Sequence, residues 1–149
     1  MIQPHIYRAP EVTSETALGS PADIWNVACL IWDLFEGKHL FHDLMDEERH
    51  YDPFRHMAQI IGFLVPPPRN FSSRSETTSQ CFDPDGKWKT EQHAKIPETS
   101  LEQAETRLQG RDKELFLQFI RSMLTWIPEE RKTARELLDN DPWLNERLD

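Results

Sequence analysis

The stretch of sequence that decides the fold covers residues 20–37 and reads SPADIWNVACLIWDLFEG. Ser20 is a residue type that caps helices, and Pro21 suits a first helical turn because N–H groups there have no helical partner. From Ile24 to Phe35 the stretch is apolar nearly all round, which is typical of a helix buried in the middle of a domain. Gly37 favours the left-handed conformation that ends many helices. We therefore predict a central helix around which the rest of the chain packs.

Two longer helices are predicted on the C-terminal side from apolar residues at helical spacing. Asp52 and Pro53 favour the start of the first, and Pro66–Pro68 should stop it. Regular spacing returns at Asp112, where the second helix is predicted to begin. The apolar face of the first helix consists of Phe54, Met57, Ile60, Ile61 and Leu64. That of the second consists of Leu115, Phe116, Phe119, Ile120, Met123 and Leu124.

Two short helices are predicted near the C-terminus. Thr133 and Glu136 have the spacing of a capping box, in which each side chain bonds the other residue's backbone N–H. Asp141 and Pro142 then favour the start of a last short helix. No segment has a convincing strand pattern, so the predicted fold class is mainly α.

Two segments are predicted to be loops. Residues 39–51 are polar and acidic, and residues 69–110 are polar, with a turn sequence from Asp83 to Gly86. The second is too long for an ordinary connection in a compact domain. We therefore expect a loop-rich insertion at about 69–110 with little structure of its own.

Composition excludes several classes of function. The net charge of -9 disfavours direct binding to nucleic acid and favours basic partners. No apolar stretch approaches the roughly 20 residues that a membrane span requires, and no secretory signal pattern is present. Cys29 and Cys81 are the only cysteines, and they are expected to be reduced structural thiols. We expect a cytoplasmic or nuclear setting.

Three separated motifs occur in a fixed order along the chain. They are Tyr7-Arg8-Ala9-Pro10-Glu11, then Asp23-Ile24-Trp25, then Pro128-Glu129-Glu130-Arg131-Lys132-Thr133-Ala134. Together they resemble the C-terminal lobe of eukaryotic protein kinases, in which Ala-Pro-Glu ends the activation segment. The resemblance covers essentially residues 1–149 and implies a partial kinase domain, the helical large lobe without the N-terminal β lobe.

Finer features resemble one branch of that family. Arg8 before Ala-Pro-Glu and the long insertion resemble the CMGC group. Ile2-Gln3, Ala28-Cys29 and the stretch from Phe82 to Trp88 resemble SR-protein kinases and their fungal relatives. A parent protein of that kind would phosphorylate serine or threonine, with Arg/Ser-rich proteins as candidate substrates.

The resemblance implies structural roles for several residues. Glu11 should pair with Arg131 and hold the substrate-binding segment Tyr7, Arg8, Ala9 and Pro10 against the lobe. A buried pair of this kind would be costly to break from one side, by roughly 3–5 kcal/mol. In the family, the aspartate at the position of Asp23, two residues before Trp25, caps the catalytic loop. Since that loop is not in this sequence, Asp23 could instead cap its own helix, and both alternatives stay open.

The sequence departs from the family pattern in its chemistry. Kinase catalysis uses a glycine-rich loop, a strand lysine, a His-Arg-Asp loop and Asp-Phe-Gly for magnesium, and none of these occurs in residues 1–149. We predict no catalytic, cofactor-binding or metal-binding residue here and no activity of this chain alone, whereas a full-length parent would use ATP and Mg²⁺. Pro4 stands where serine/threonine kinases commonly have a threonine. It either lowers the kinase activity of the parent protein or merely stiffens the loop of an active kinase.

A non-catalytic role is the alternative hypothesis. The acidic residues Asp46, Glu47 and Glu48 precede the helix that, by family resemblance, helps to dock Arg-rich peptides. They could make this chain a pseudokinase-like binding module for a basic peptide or a partner protein. The nearby histidines His39, His42 and His50 could instead indicate a metal site, but a solvated acidic loop is the simpler interpretation. Without the small lobe and the catalytic loop, the central helix is expected to leave an apolar face uncovered, and an unrelated helical domain is the fallback.

Overall fold

The computed structural model describes residues 4–14 and 19–148. Within these ranges the protein is helical, and two isolated bridges, Met45 with Tyr51 and Phe82 with Trp88, are the sole extended pairings. The α-helices are α1 (Pro10–Thr13), α2 (Ser20–Glu36), α3 (Pro53–Phe63), α4 (Arg69–Ser72), α5 (Glu76–Cys81), α6 (Leu101–Ala104), α7 (Gly110–Met123), α8 (Ala134–Asn140) and α9 (Pro142–Leu148). Short 3-10 turns occupy His5–Tyr7 and Pro128–Glu130. Ile2-Gln3 lies outside the described residues.

Helix α2 forms the centre of the fold, as the sequence predicts. Trp25, Ala28, Cys29 and Trp32 are fully or almost fully buried on one side of it. It ends at Gly37, whose φ of 70° is left-handed and whose N–H bonds the carbonyl of residue 33 at 2.8 Å. Glycine adopts this conformation without the steric cost other residues meet.

Two details of the α2 prediction are wrong. Ser20 is the first helical residue, and the N-cap is Gly19, which has no side chain to offer. The helix is also not buried all round, because Val27, Leu30 and Leu34 form a stripe with exposed fractions of 44%, 46% and 78%. The spacing of these residues places them on one helix face. The expectation of an uncovered apolar face is thereby confirmed.

Helix α7 packs its apolar face against α2 and α9. The ring of Phe116 lies 4.6 Å from that of Phe35 and 5.1 Å from that of Trp143, between centroids. All six apolar residues predicted for this face are buried. The helix begins at Gly110, two residues before the predicted start, which is within the usual uncertainty of helix boundaries.

The predicted capping signals at two other helices, α3 and α8, are observed. Asp52 caps α3 by accepting from the N–H groups of Phe54 and Arg55 at 2.9 and 3.3 Å. Thr133 and Glu136 form the capping box of α8. These caps satisfy N–H groups that have no partner inside the helix.

The segment 69–110 is more ordered than the sequence indicates. It contains α4, α5 and α6, and it buries Phe71, Phe82 and Leu101 in the core. The predicted turn is present, since Gly86 has a φ of 79° and donates to the carbonyl of Asp83 at 2.9 Å. Isolated apolar residues among polar ones gave no periodicity from which this packing could be predicted.

Candidate functional site

Several contacts attach the segment from Pro4 to Ser14 to the helical core, and the first considered joins Glu11 to Arg131. Two parallel hydrogen bonds link their side chains, from Nη1 to Oε1 at 2.6 Å and from Nη2 to Oε2 at 2.7 Å. The exposed fractions of the two side chains are 0% for the arginine and 3% for the glutamate. The planar guanidinium matches the two carboxylate oxygens and keeps its charge when removed from water.

Arg131 also bonds groups outside the pair. Its Nη1 donates to the carbonyl of Pro21 at 2.9 Å, and its Nε donates to the carbonyl of Thr125 at 2.9 Å. The guanidinium carbon lies 5.0 Å from the ring centre of the buried Trp25. One side chain therefore joins α1, the start of α2 and the segment that follows α7, so the buried charge has several compensating partners.

Local sequence places both members of the pair. Pro10 is the first residue of α1 and Glu11 the second, which puts the carboxylate near the helix N-terminus, where negative charge is favourable. Arg131 follows the 3-10 turn that begins at Pro128, and its N–H bonds the carbonyl of that proline at 3.2 Å. Each of the two motifs thus contains a proline that fixes the backbone just before the charged residue.

The second attachment joins Tyr7 to α2. The Tyr7 hydroxyl donates to Oδ2 of Asp33 at 2.7 Å, and this bond to a carboxylate, together with burial, raises the pKa of Tyr7 to about 12. Nδ1 of the half-exposed His39 lies 2.6 Å from the same oxygen. The other oxygen of Asp33, Oδ1, is buried and has no hydrogen-bond partner within the described residues.

The third attachment joins Arg8 to the loop before α3. The Arg8 guanidinium lies 4.8 Å from the centre of the Tyr51 ring, which stacks on His5 with 4.1 Å between ring centres. The Tyr51 hydroxyl in turn lies 2.8 Å from Nδ1 of His56. His56 is fully buried, and desolvation together with the nearby cation of Arg8 lowers its pKa to about 3.

The other predicted site residues lie apart from these attachments. Asp23 is exposed in the first turn of α2, where it cannot take the N-cap position held by Gly19. Pro4 is exposed, and its carbonyl accepts from the Tyr7 N–H at 3.1 Å, which fixes the turn at the start of the segment.

The acidic loop projects into solvent. Glu47 and Glu48 are exposed, while Asp46 shapes the loop by accepting from the N–H groups of Glu48 and His50 at 2.9 and 2.8 Å. His39 bonds Asp33 instead of joining them. Within the part of the chain that the structure describes, no three His, Cys, Asp or Glu side chains are grouped so as to hold a metal ion.

Sequence reasoning missed Asp33, Tyr51 and His56 as members of this site. Asp33 and Tyr7 are 26 positions apart, and no local motif joins them. His56 did leave a signal, because it lies four residues before Ile60 and therefore shares the apolar face of α3.

Comparison with known proteins gives one family. The family model described as "Protein kinase domain" matches residues 2–144. A serine/threonine protein kinase of Aspergillus fumigatus is 46% identical over 143 residues, which cover 96% of this chain and 35% of the relative. SRSF protein kinase 3 of Homo sapiens is 32% identical over 149 residues, with 97% and 25% covered. The probable serine/threonine-protein kinase sky1 of Dictyostelium discoideum is 30% identical over 154 residues, with 97% and 22% covered.

These matches also show how much of each relative this chain covers. The chain spans about a third or less of the length of the curated relatives named here. No helix among the described residues is long and apolar enough to cross a membrane.

Proposed function

Because this chain belongs to the protein kinase family, we propose that it is the substrate-binding part of a longer serine/threonine kinase. The matched relatives include serine/threonine kinases of a fungus and SRSF protein kinases, and the fold is the helical C-terminal lobe without a β lobe. The longer protein would transfer phosphate from ATP to serine or threonine of Arg/Ser-rich proteins. We assign to residues 1–149 the binding and orientation of the peptide substrate.

The Glu11–Arg131 pair is the observation that carries this proposal. It is buried and bidentate, and it holds the segment that contains Tyr7 and Arg8 at a fixed position on α2. Asp33 accepts from the Tyr7 hydroxyl and so fixes the tyrosine of this segment on α2. Orientation of a substrate against the transferred group is a large part of phosphoryl-transfer catalysis.

The chain alone is proposed to be inactive. Its own residues do not fit ATP or Mg²⁺, because the glycine-rich loop, the strand lysine, His-Arg-Asp and Asp-Phe-Gly are absent from residues 1–149. In the longer protein, ATP and Mg²⁺ would be held by residues outside this segment.

A phosphotransfer assay tests both parts of the proposal. Radiolabelled ATP, Mg²⁺ and an Arg-Ser repeat peptide are incubated with the 149-residue chain, and separately with any longer product found by reading the genomic DNA upstream. We expect incorporation only with a longer product that contains His-Arg-Asp and Asp-Phe-Gly. Turnover by the 149-residue chain above a no-protein background would refute its inactivity, and an inert longer product would refute the kinase assignment.

A binding module is the second candidate function. It is favoured by the exposed acidic residues Glu47 and Glu48 and by the uncovered apolar stripe on α2. A module of this kind would hold a basic peptide without modifying it. If the genomic DNA upstream contains no codons for the catalytic motifs, this function replaces the first.

A further inference from the structure

Two glutamate side chains meet inside the protein where the central helix ends. Glu36 is the last residue of α2, and Glu105 directly follows α6 near the end of the long insertion. Their exposed fractions are 7% and 1%, and the two carboxyl groups are in hydrogen-bond contact with each other. Glutamate is rarely buried unless it is paired with a base. Here an acid lies against an acid, so charge pairing does not explain the contact.

The surroundings of Glu105 favour its ionised form. Its Oε1 accepts from the backbone N–H groups of Arg107 and Leu108 at 2.6 and 2.8 Å. Nζ of Lys113, on α7, donates to the Glu105 carbonyl at 2.7 Å and lies 3.5 Å from Oε2 of the same residue. A carboxyl group that accepts several N–H groups is stabilised as the anion. Although burial acts to raise it, the pKa of Glu105 is therefore held below its ordinary value.

Glu36 has less compensation for a negative charge. Burial, the hydrogen bond to Glu105 and the repulsion from that carboxylate raise its pKa, against a smaller opposing effect of the Thr106 N–H. The cations Lys38 and Arg107 lie nearby but are exposed, so water and salt screen them. Oε1 of Glu36 and Oε2 of Glu105 are both buried and have no hydrogen-bond donor among the residues that the structure describes.

We propose that Glu36 and Glu105 share one proton, which Glu36 carries and donates to the Glu105 carboxylate. Two ionised carboxylates cannot hydrogen-bond each other, because each is an acceptor only. A proton between them lets a buried oxygen on each side chain take part in a hydrogen bond, and it joins the end of α2 to the segment before α7. Loss of the proton leaves two like charges in contact, which should loosen this joint. The contact is thus sensitive to pH, and it does not depend on the proposed function.

The direction of the pH effect follows from Glu36. Because its pKa is raised on folding, the folded chain keeps a proton that the unfolded chain releases near the ordinary value of 4.5. The contribution of the pair to stability is therefore complete below about pH 4.5 and is lost as the pH rises through the folded-state pKa. The buried His56, whose pKa is lowered, acts in the opposite direction. The quantity to measure is therefore the difference between variants, in which the effect of His56 cancels.

NMR of the 149-residue chain, with ¹³C in the side-chain carboxyl groups of glutamate, tests for the shared proton. We expect one carboxyl signal with a titration midpoint above 4.5 that is absent from Glu36→Gln. In Glu105→Gln that signal should titrate at a lower pH, because the adjacent negative charge is gone and an amide N–H can donate to Glu36. If Glu36 titrates no higher than the exposed glutamates, the proposal is overturned.

Urea denaturation at pH 5 to 9 tests whether the proton fastens the joint. Glu36→Gln keeps an N–H group that can donate to Glu105 at every pH. Relative to this variant, the unfolding equilibrium constant of the unchanged chain should increase about tenfold per pH unit until the folded-state pKa is reached, and then stay level. Glu114→Gln, the same substitution at an exposed position of α7, should behave as the unchanged chain. A ratio that does not vary with pH, or equal effects of the two variants, would overturn the proposal.

Discussion

Glu11 and Arg131 lie 120 positions apart in the sequence and form a bidentate ion pair inside the core. Since Arg131 also bonds the carbonyls of Pro21 and Thr125, the pair links the start of the described chain to its last third. The segment that contains Tyr7 and Arg8 thus owes its position to a contact made far away in sequence. Its loss should affect the stability of the fold and the placement of Tyr7 and Arg8 together.

Removal of the arginine is the first prediction. Arg131→Met leaves the Glu11 carboxylate buried without its partner, which should lower the free energy of unfolding by about 3–5 kcal/mol. Urea denaturation followed by circular dichroism measures this. Arg135→Met is the matched control, because Arg135 is 88% exposed and its pair with Asp139 should contribute no more than about 0.5 kcal/mol. Similar losses in the two variants would show that the buried pair does not hold the fold.

Much of the fold could be predicted because its signals are local. Helix α3 has an Asp cap, a proline and apolar spacing within twelve residues, and α8 has its capping box within four. The Glu11–Arg131 pair was predicted for a different reason: it follows from the order of the family motifs, not from any property of the intervening residues.

The rest could not be predicted because it depends on tertiary packing. Sequence cannot show which side of an all-round apolar helix stays uncovered, so the exposure of Leu34 was missed. The bond from Tyr7 to Asp33 and the cavity between α3 and the end of the insertion each join segments that no motif relates. The insertion was expected to have little structure of its own, because Phe71 and Leu101 are single apolar residues whose burial only the folded chain reveals.

The buried histidine predicts how stability depends on pH. The pKa of His56 is about 3 in the folded chain and near its ordinary 6.5 when unfolded, so the unfolded state binds more protons between these values. Stability should therefore fall as pH drops below about 6.5, by about 1.4 kcal/mol per pH unit, or about 2 kcal/mol by about pH 5. His56→Gln keeps a polar side chain beside Tyr51 but does not titrate. Urea titrations from pH 8 to 5 should show the variant losing correspondingly less stability, and parallel curves would contradict the prediction.

The close approach of α3 to the insertion predicts the effect of one methyl group. Gly62→Ala places a Cβ against both the ring and the carbonyl of Pro97, so α3 and the insertion must separate. We expect a loss of about 1–3 kcal/mol in the free energy of unfolding, typical of overpacking. Gly19→Ala is the control, because its nearest contact is an ordinary 3.5 Å to Pro21. If both variants unfold at the same urea concentration, the contact with Pro97 is not tight in solution.

The uncovered stripe on α2 predicts self-association. Val27, Leu30 and Leu34 present adjacent apolar surface, which tends to recruit a partner or to aggregate. Sedimentation velocity should show association that increases with protein concentration, and Leu30→Lys/Leu34→Lys should reduce it. Leu138→Lys is the control, since Leu138 is 61% exposed on α8, away from the stripe. A monomer at all concentrations, with a cooperative thermal transition, would contradict the expectation that this face needs a partner.

The acidic loop supplies the final prediction, on binding of a basic peptide. Glu47→Lys/Glu48→Lys reverses two exposed charges and spares Asp46, whose carboxylate holds the loop by accepting from two backbone N–H groups. If the loop attracts Arg-Ser peptides, the variant should bind them about tenfold more weakly at 50 mM salt, and the difference should shrink at 500 mM because salt screens exposed charges.

The control for that prediction is Glu91→Lys/Glu114→Lys, which makes the same change in net charge at exposed positions outside the loop. Anisotropy of a labelled Arg-Ser peptide compares the two variants with the unchanged chain. Equal weakening by both would mean that the peptide senses only the net charge of -9 and that the loop is not a docking surface. Weakening confined to the Glu47–Glu48 variant assigns basic-peptide binding to this loop, since the net charge is then the same in both proteins and only its position differs.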